Sequence, residues 1–181
     1  MKVRSMYSKE NCLETLNQFI SEPHLLKHSL AVGAALRYYA ELYGEDAEYW
    51  QAVGLLHDAD FEKYPDEHPQ HTAELLAPLG YSEQFIGDIV SHCRAWDAER
   101  SRVQKALAAV DEMTGFVIAC ALVRPDKSLE NLEVKSVLKK IKDKTFARAV
   151  DRDNLRAGAA LLELTLEEHI ENVRQALIEY L

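Results

Sequence analysis

The chain has 181 residues, of which 48% are hydrophobic and 28% charged, and its formal net charge is -9 with a pI near 5.3. This length and composition are typical of one globular domain, and the acidic charge argues against DNA or an anionic membrane surface as a general partner. The three cysteines are odd in number and show no CxxC spacing, which argues against a disulfide framework or a thiolate zinc site.

The sequence also lacks recognisable targeting segments. Residues 1–7 contain no apolar core of signal-peptide length, and the longest apolar run, Phe116–Val123, is too short to span a bilayer. Together with the unpaired cysteines, this predicts a cytoplasmic protein that does not enter a membrane. The oligomeric state stays open.

Apolar residues recur at helical spacing through the first half of the chain. Pro23 suits a first helical turn, Gly44 a C-cap, and Asp46 an N-cap for a helix that ends at the His57-Asp58 pair. Residues 60–69 and 93–100 are expected to be polar loops. The predicted helices of this half run over about residues 8–20, 23–43, 46–58, 72–79 and 82–92.

The second half continues the helical pattern. Ser101 starts the longest helix with a buried face, and Arg124-Pro125 stops it. An amphipathic, basic helix is expected over about 128–144, followed by a closing pair over 151–164 and 166–181. No period-2 alternation, repeat or linker is visible. We therefore expect one compact all-α domain over residues 1–181, with its motif-bearing core at about 25–115 and its closing helices at about 128–181.

A few histidine and aspartate residues occupy inward-facing helical positions: His28, His57, Asp58, His92 and Asp111. Taken singly, each histidine has an ordinary interpretation as a hydrogen-bonded core residue, and Asp111 as half of a buried salt bridge. Each carboxylate needs a partner, because an isolated buried charge is costly. As a set, these nitrogen and oxygen donors suit a divalent transition metal or magnesium.

The order His28, His57-Asp58, Asp111 resembles the HD superfamily of metal-dependent phosphohydrolases, which is named for this pattern. The resemblance covers about residues 25–175 and implies an all-α bundle that binds metal. Further segments resemble a bacterial subgroup of uncharacterised HD proteins: Leu55–Asp60, Glu67–Pro69, Ser91–His92, Ala109–Gly115, Ala121–Ser128 and Val134–Val137.

The resemblance also bears on the number of metal ions. HD proteins with two further histidines between the His-Asp pair and the last Asp resemble binuclear enzymes, including bacterial diadenosine tetraphosphate hydrolases. His68 and His92 occupy those places here, with His71 as a rival for His68. The implied cofactor is one or two divalent ions, and the sequence does not distinguish Mn, Fe, Co, Ni, Zn or Mg. With two ions, Asp58 is the natural bridge, because a carboxylate has one oxygen for each ion.

The implied activity is hydrolysis of a phosphoester or phosphoanhydride in a small nucleotide-like substrate by an activated water, with Asp58 and His57 as catalytic residues. Lys135 or Arg124, from the basic stretch 124–148, would hold a substrate phosphate, unless that stretch is a solvated face. The alternative is a non-catalytic metal- or nucleotide-binding HD module that acts as a sensor or scaffold.

The remaining candidates have supporting or surface roles. A carboxylate is expected to orient one of the ligand imidazoles, and the sequence offers three for this role: Asp60, Glu62 and Glu112. His24 and His169 are interpreted as solvated surface histidines.

Overall fold

The computed structural model describes residues 5–96 and 98–181 of the chain. Within them it contains helices and no strand, which confirms the prediction of an all-α fold. The α-helices are α1 (Lys9–Leu16), α2 (Pro23–Tyr43), α3 (Ala47–Leu56), α4 (Thr72–Leu76), α5 (Glu83–Val90), α6 (Arg102–Leu122), α7 (Val134–Lys142), α8 (Arg152–Leu161) and α9 (Leu166–Tyr180). Two parts of the sequence predictions lie outside the described residues. They are residues 1–4, at the start of the N-terminal segment 1–7, and Asp97 of the predicted loop 93–100.

Local side-chain chemistry fixes most helix ends where the sequence predicts them. Gly44 ends α2 with a φ of 68°, a left-handed conformation that favours glycine. The Asp46 carboxylate accepts the backbone N–H groups of Glu48 and Tyr49 and so caps α3. Ser101 and Gln104 form a capping box at the start of α6.

Several predicted helices are shorter in the structure, among them α1, which ends at Leu16 instead of near residue 20, and α8, which ends at Leu161 instead of near residue 164. The helix expected over 82–92 ends at Val90 and continues as a 3-10 turn over Ser91–Cys93. The basic helix expected from 128 begins only at Val134. The Asp126 carboxylate accepts hydrogen bonds from the Arg124 guanidinium and the Ser128 backbone N–H, and such local bonds compete with helix formation.

The core is one hydrophobic cluster to which every α-helix contributes buried side chains. At its centre, α2 and α3 approach so closely that a Cβ on Gly54 would lie 2.8 Å from the Gly33 backbone. This contact fixes the end of α3 against the first half of α2. In the described part of the chain, no helix is both long and apolar enough to cross a membrane.

The closing helices pack against α6 at Ala109, two residues before Asp111. Gly158 of α8 would place a Cβ 2.9 Å from the Ala109 Cα. His169 of α9 is fully buried: its Nε2–H donates to the Ala109 carbonyl, and its Nδ1 accepts from the Tyr39 hydroxyl. The interpretation of His169 as a surface residue is therefore wrong. The helical spacing of His169 to buried Val173 carried the signal for an inward position.

Candidate metal centre

Five segments of the fold bring the predicted donor residues to one place. His28 comes from the second turn of α2, His57 and Asp58 follow the end of α3, and Asp111 lies at the middle of α6. His68 comes from the loop after α3, and His92 from the 3-10 turn after α5. All six residues proposed from the sequence as metal ligands therefore meet in the structure.

Four of them form what we call the first donor set: His28, His57, Asp58 and Asp111. The His28 Nε2 lies 3.1 Å from the His57 Nε2, 3.0 Å from the Asp111 Oδ1 and 3.5 Å from the Asp58 Oδ2. The His57 Nε2 lies 3.3 Å from that same Asp58 oxygen and 3.5 Å from the Asp111 Oδ1. The His57 side chain is fully buried, whereas those of His28 and Asp111 are about a quarter exposed, so the set is open to solvent on their side.

The second donor set consists of His68, His92 and the other oxygen of Asp58. The Asp58 Oδ1 lies 3.2 Å from the His68 Nε2 and 3.6 Å from the His92 Nε2, and the two nitrogens are 3.0 Å apart. Asp58 thus presents one carboxylate oxygen to each set.

The hydrogen bonds of the Nδ1 atoms determine whether the Nε2 atoms, which face the site, carry a lone pair or a proton. The Nδ1 atoms of His57 and His92 lie 2.8 and 2.6 Å from the carbonyl oxygens of Gly54 and Ile89, which only accept, so these Nδ1 atoms carry the protons. The His68 Nδ1 faces the Asp60 carboxylate at 2.5 Å and donates likewise. In their neutral forms, all three imidazoles direct an Nε2 lone pair inward, so the facing nitrogens need a proton or a metal ion between them.

A divalent ion fits both sets. Nitrogen and oxygen donors about 2.0–2.2 Å from one ion lie about 2.8–3.6 Å apart at bond angles of about 90–110°. The separations that involve an imidazole nitrogen run from 3.0 to 3.6 Å in the two sets. Imidazole and carboxylate donors suit Zn, Mn, Fe, Co or Ni, so the residues present match the metal that the sequence implies.

The electrostatics of the site also favour a cation. Burial alone would lower the pKa of His57, but the carboxylates of Asp58 and Asp111 raise it well above the ordinary value. Burial likewise opposes protonation of His68 and His92, yet the Asp58 carboxylate helps to raise their pKa values to about 11 and about 9. Against the effect of burial, the neighbouring imidazoles hold the pKa of Asp111 well below its usual range. The carboxylates therefore stabilise positive charge among the donors.

Of the three carboxylates proposed to orient an imidazole, Asp60 is the one that does so. It is fully buried, its Oδ1 accepts from His68, and its Oδ2 accepts the His71 backbone N–H. Glu62 instead accepts the backbone N–H groups of Ser21 and Glu22, and Glu112 accepts from Asp151 and Asn154. An anionic partner on Nδ1 fixes the His68 ring and makes its Nε2 more basic.

The other two histidines near the loop face elsewhere. The His71 ring nitrogens contact the carboxylates of Glu67 and Glu74 at 2.7 and 3.1 Å, and the ring stacks on Tyr64. The geometry therefore favours His68 over His71 as the donor. The His24 side chain is 74% exposed, which confirms its surface position.

Sequence reasoning missed Cys93, which follows His92 in the 3-10 turn. Its Sγ and donor nitrogens of His68 and His92 all lie within 4.8 Å of one another. Burial would raise the pKa of this thiol, but hydrogen bonds to His68 and His92 bring it down to about 7. The odd number of cysteines and the missing CxxC spacing argue against a thiolate zinc site, yet the structure brings one cysteine to two histidines.

The basic residues proposed for phosphate binding lie on the surface. The Lys135 Nζ pairs with Glu133 at 2.9 Å, and its side chain is 79% exposed. Arg124 forms an ion pair with Asp126. Neither side chain has a hydrogen bond or ion pair to the donor residues within the described ranges.

A model of the HD domain matches residues 25–170, which is most of the chain and includes every donor described above. The chain belongs to the HD domain family. HD domains bind divalent metals and are generally metal-dependent hydrolases. Two groups of side chains lie close enough together to hold such an ion: His28 with His57 and Asp58, and His68 with His92 and Cys93. A search of curated proteins and a search of solved structures each found no significant match.

Proposed function

We propose that this HD protein is a phosphohydrolase that holds two divalent ions and cleaves a phosphoester or phosphoanhydride of a small, nucleotide-like substrate. The observation that supports it most is the position of Asp58, whose two oxygens each belong to a different donor set. His28, His57, Asp58 and Asp111 would hold one ion, and Asp58, His68 and His92 the other. Two ions bridged in this way would activate a water molecule and stabilise the charge that develops at phosphorus.

The chain's own residues would prepare this chemistry by holding the donors rigidly. The carbonyls of Gly54 and Ile89 fix the rings of His57 and His92, and the Asp60 carboxylate fixes that of His68. The buried His57 and Asp60 also keep water from that side of the site, which strengthens electrostatic interactions within it. Asp58 and His57 are accordingly the residues that we assign to catalysis.

A groove beside the second donor set is a candidate place for the rest of the substrate. It has a volume of about 470 Å³ and is lined by Pro69, Ile86 and Val90 together with Cys93 and Arg94. The exposed Arg94 guanidinium has no ion pair or hydrogen bond to another described residue. Apolar walls and a guanidinium suit a nucleotide, because the first accommodate a base and the second a phosphate.

Three cations are therefore candidates for the phosphate contact: Arg94 from its place in the groove, and Lys135 and Arg124 from the sequence. Replacing the right one with alanine should reduce kcat/KM by about ten- to a hundredfold, the value of one charge-assisted hydrogen bond. Steady-state kinetics of the three variants compares them directly. A cation whose loss leaves kcat/KM unchanged does not bind substrate.

Phosphate release from a panel of mononucleotides, deoxynucleotides, dinucleoside polyphosphates and cyclic dinucleotides tests the proposed function. The metal-free protein would be assayed after addition of Mn, Co, Ni, Zn or Mg. We expect hydrolysis of at least one substrate that depends on added metal. Binding of metal and nucleotide without hydrolysis across the panel would instead indicate the non-catalytic sensor or scaffold.

Two further assignments accompany the proposal. We propose that residues 1–181 form a single domain, which the single hydrophobic cluster supports, since it contains residues from Cys12 to Leu177. We also propose a cytoplasmic location. The three free cysteines, of which Cys93 is exposed, support it because they suit a reducing compartment.

A further inference from the structure

The second donor set is poorer in ligands than the first. Asp58, His68 and His92 give it three donor atoms, whereas the first set has four. Structural and catalytic sites for borderline metals commonly use three or four protein donors, and a thiolate is a frequent one. A further side chain beside this set is that of Cys93, whose Sγ lies within 4.8 Å of a donor nitrogen of His68 and of His92.

The arrangement of His68 and His92 favours a metal ion between their inner nitrogens and the Cys93 thiol. Their side chains are only 9% and 5% exposed, and each donates its Nδ1 proton away from the centre. Their Nε2 atoms face each other at 3.0 Å, so this contact is satisfied only when a proton or a metal ion lies between them.

We propose that the Cys93 thiolate is a ligand of the second ion, which makes this site a nitrogen, oxygen and sulfur site distinct from the nitrogen and oxygen site of the first set. This inference rests on the proposed two-ion function. On binding, the thiol loses its proton to solvent and the sulfur takes a coordination position. Because thiolates prefer softer ions, the second site should select Zn, Co or Fe over Mg or Mn.

The position of Cys93 has a consequence for the groove as well. The thiol is exposed and lines the groove together with Arg94, so it stands between the second donor set and the space proposed for substrate. A ligand in this position would be the most accessible part of the metal site. Bound metal should therefore shield this cysteine from reagents that reach it in the metal-free protein.

Cobalt substitution of the full-length protein tests the inference without reference to activity. We expect a thiolate-to-cobalt charge-transfer band in the near ultraviolet that saturates with one ion per chain. The band should be absent in Cys93→Ser, which still binds an ion at the first set. In this variant the affinity for one of the two zinc ions should fall by at least about tenfold. Mutation of a residue that only hydrogen-bonds to a metal ligand already weakens metal binding by about that factor.

Alkylation with iodoacetamide, mapped by peptide mass spectrometry, gives a second readout. Zinc should slow modification of Cys93 by about tenfold or more, since only the free thiolate reacts. The buried Cys12 and Cys120 of the same chain serve as internal controls for unfolding. Two bound cobalt ions without the band, together with unchanged alkylation of Cys93, would overturn the inference and leave the proposed function intact. Failure to bind any ion would overturn both.

Discussion

At the scale of single residues, Asp58 is the residue on which the proposed two-ion site depends most. Its side chain is 15% exposed, and its two oxygens lie 3.2–3.6 Å from four different imidazole nitrogens. A histidine or another neutral side chain could not replace Asp58 as a bridge, because only a carboxylate offers one anionic oxygen to each of two ions.

Asp58→Ala should therefore abolish hydrolysis of any substrate, with a loss of about a thousandfold or more in kcat, because it would remove the carboxylate that we propose the two ions share. Asp66→Ala, an exposed aspartate of the same loop, is the matched control and should keep wild-type kcat. Steady-state kinetics and circular dichroism of both variants provide the measurement. Equal activity in the two variants would mean that the reaction occurs elsewhere.

His169 illustrates a residue whose role is structural and whose protonation has a predictable cost. Burial lowers its pKa to about 4, against an ordinary value of 6.5, and the hydrogen bond to the Ala109 carbonyl offsets this only in part. Between pH 4 and pH 6.5, His169 is therefore protonated in the unfolded chain but neutral in the folded chain. The stability contributed by neutral His169 is complete above about pH 6.5 and is lost as the pH falls toward 4.

The predicted acid loss from this histidine is at most about 3 kcal/mol, from the separation of the two pKa values. His169→Gln cannot titrate, so its free energy of unfolding should fall less than that of the wild type between about pH 7.5 and about pH 4.5. Urea unfolding with chelator present measures this difference while the metal ligands stay identical. Parallel pH profiles for the two proteins would contradict the assignment.

The sequence predicted the donors that lie on helices or at their ends, because an inward-facing carboxylate or imidazole breaks an apolar stripe. Cys93 and the orienting role of Asp60 depend on turns whose path periodicity does not describe. The interpretation of His169 as a surface residue was wrong, although its spacing of four residues to the buried Val173 places both on one helix face. The phosphate-binding cation stays undecided because long basic side chains sit on the surface in every fold.

At the scale of elements, the close contact of α2 and α3 positions the first donor set. His28 and Gly33 lie on α2, and Gly54, whose carbonyl holds the His57 ring, lies on α3. A Cβ at Gly54 would lie 2.8 Å from the Gly33 backbone, so the backbone approach leaves no room for a side chain at Gly54. Periodicity and capping residues predict the two helices. They do not predict the close contact between the helix backbones, because the sequence does not show that Gly33 and Gly54 meet.

Gly54→Ala should push α2 and α3 apart, because its Cβ would lie 2.8 Å from backbone atoms of Gly33 and Val32. We expect a loss of about 1–3 kcal/mol of stability, typical of overpacking, together with weaker metal binding at the first set. Gly115→Ala on α6 is the control. Its Cβ would meet no atom within 4 Å, so it should gain up to about 1 kcal/mol from helix propensity.

Urea unfolding and metal titration of the two glycine variants separate packing from helix propensity. A wild-type metal affinity in Gly54→Ala, despite lower stability, would show that the helix contact does not position the donors. Equal stability of Gly54→Ala and the wild type would mean that the two backbones can separate without cost.

At the scale of the whole molecule, the proposed two-ion site would supply positive charge to an acidic chain. The chain carries a net charge of -9, and the donor sets contain two carboxylates. Two divalent ions would more than neutralise these carboxylates and would attract the phosphate of the proposed substrate. Substrate binding and metal binding should therefore be linked.

Metal stoichiometry tests the two-ion account most directly. After reconstitution with zinc and removal of loose ions, elemental analysis should find two ions per chain in the wild type. It should find about one in Asp111→Ala and in His92→Ala, because each change damages only one set. Asp58→Ala should retain fewer ions than either of these variants. A wild type that binds no zinc, or an Asp58→Ala variant that still binds two ions, would contradict the account.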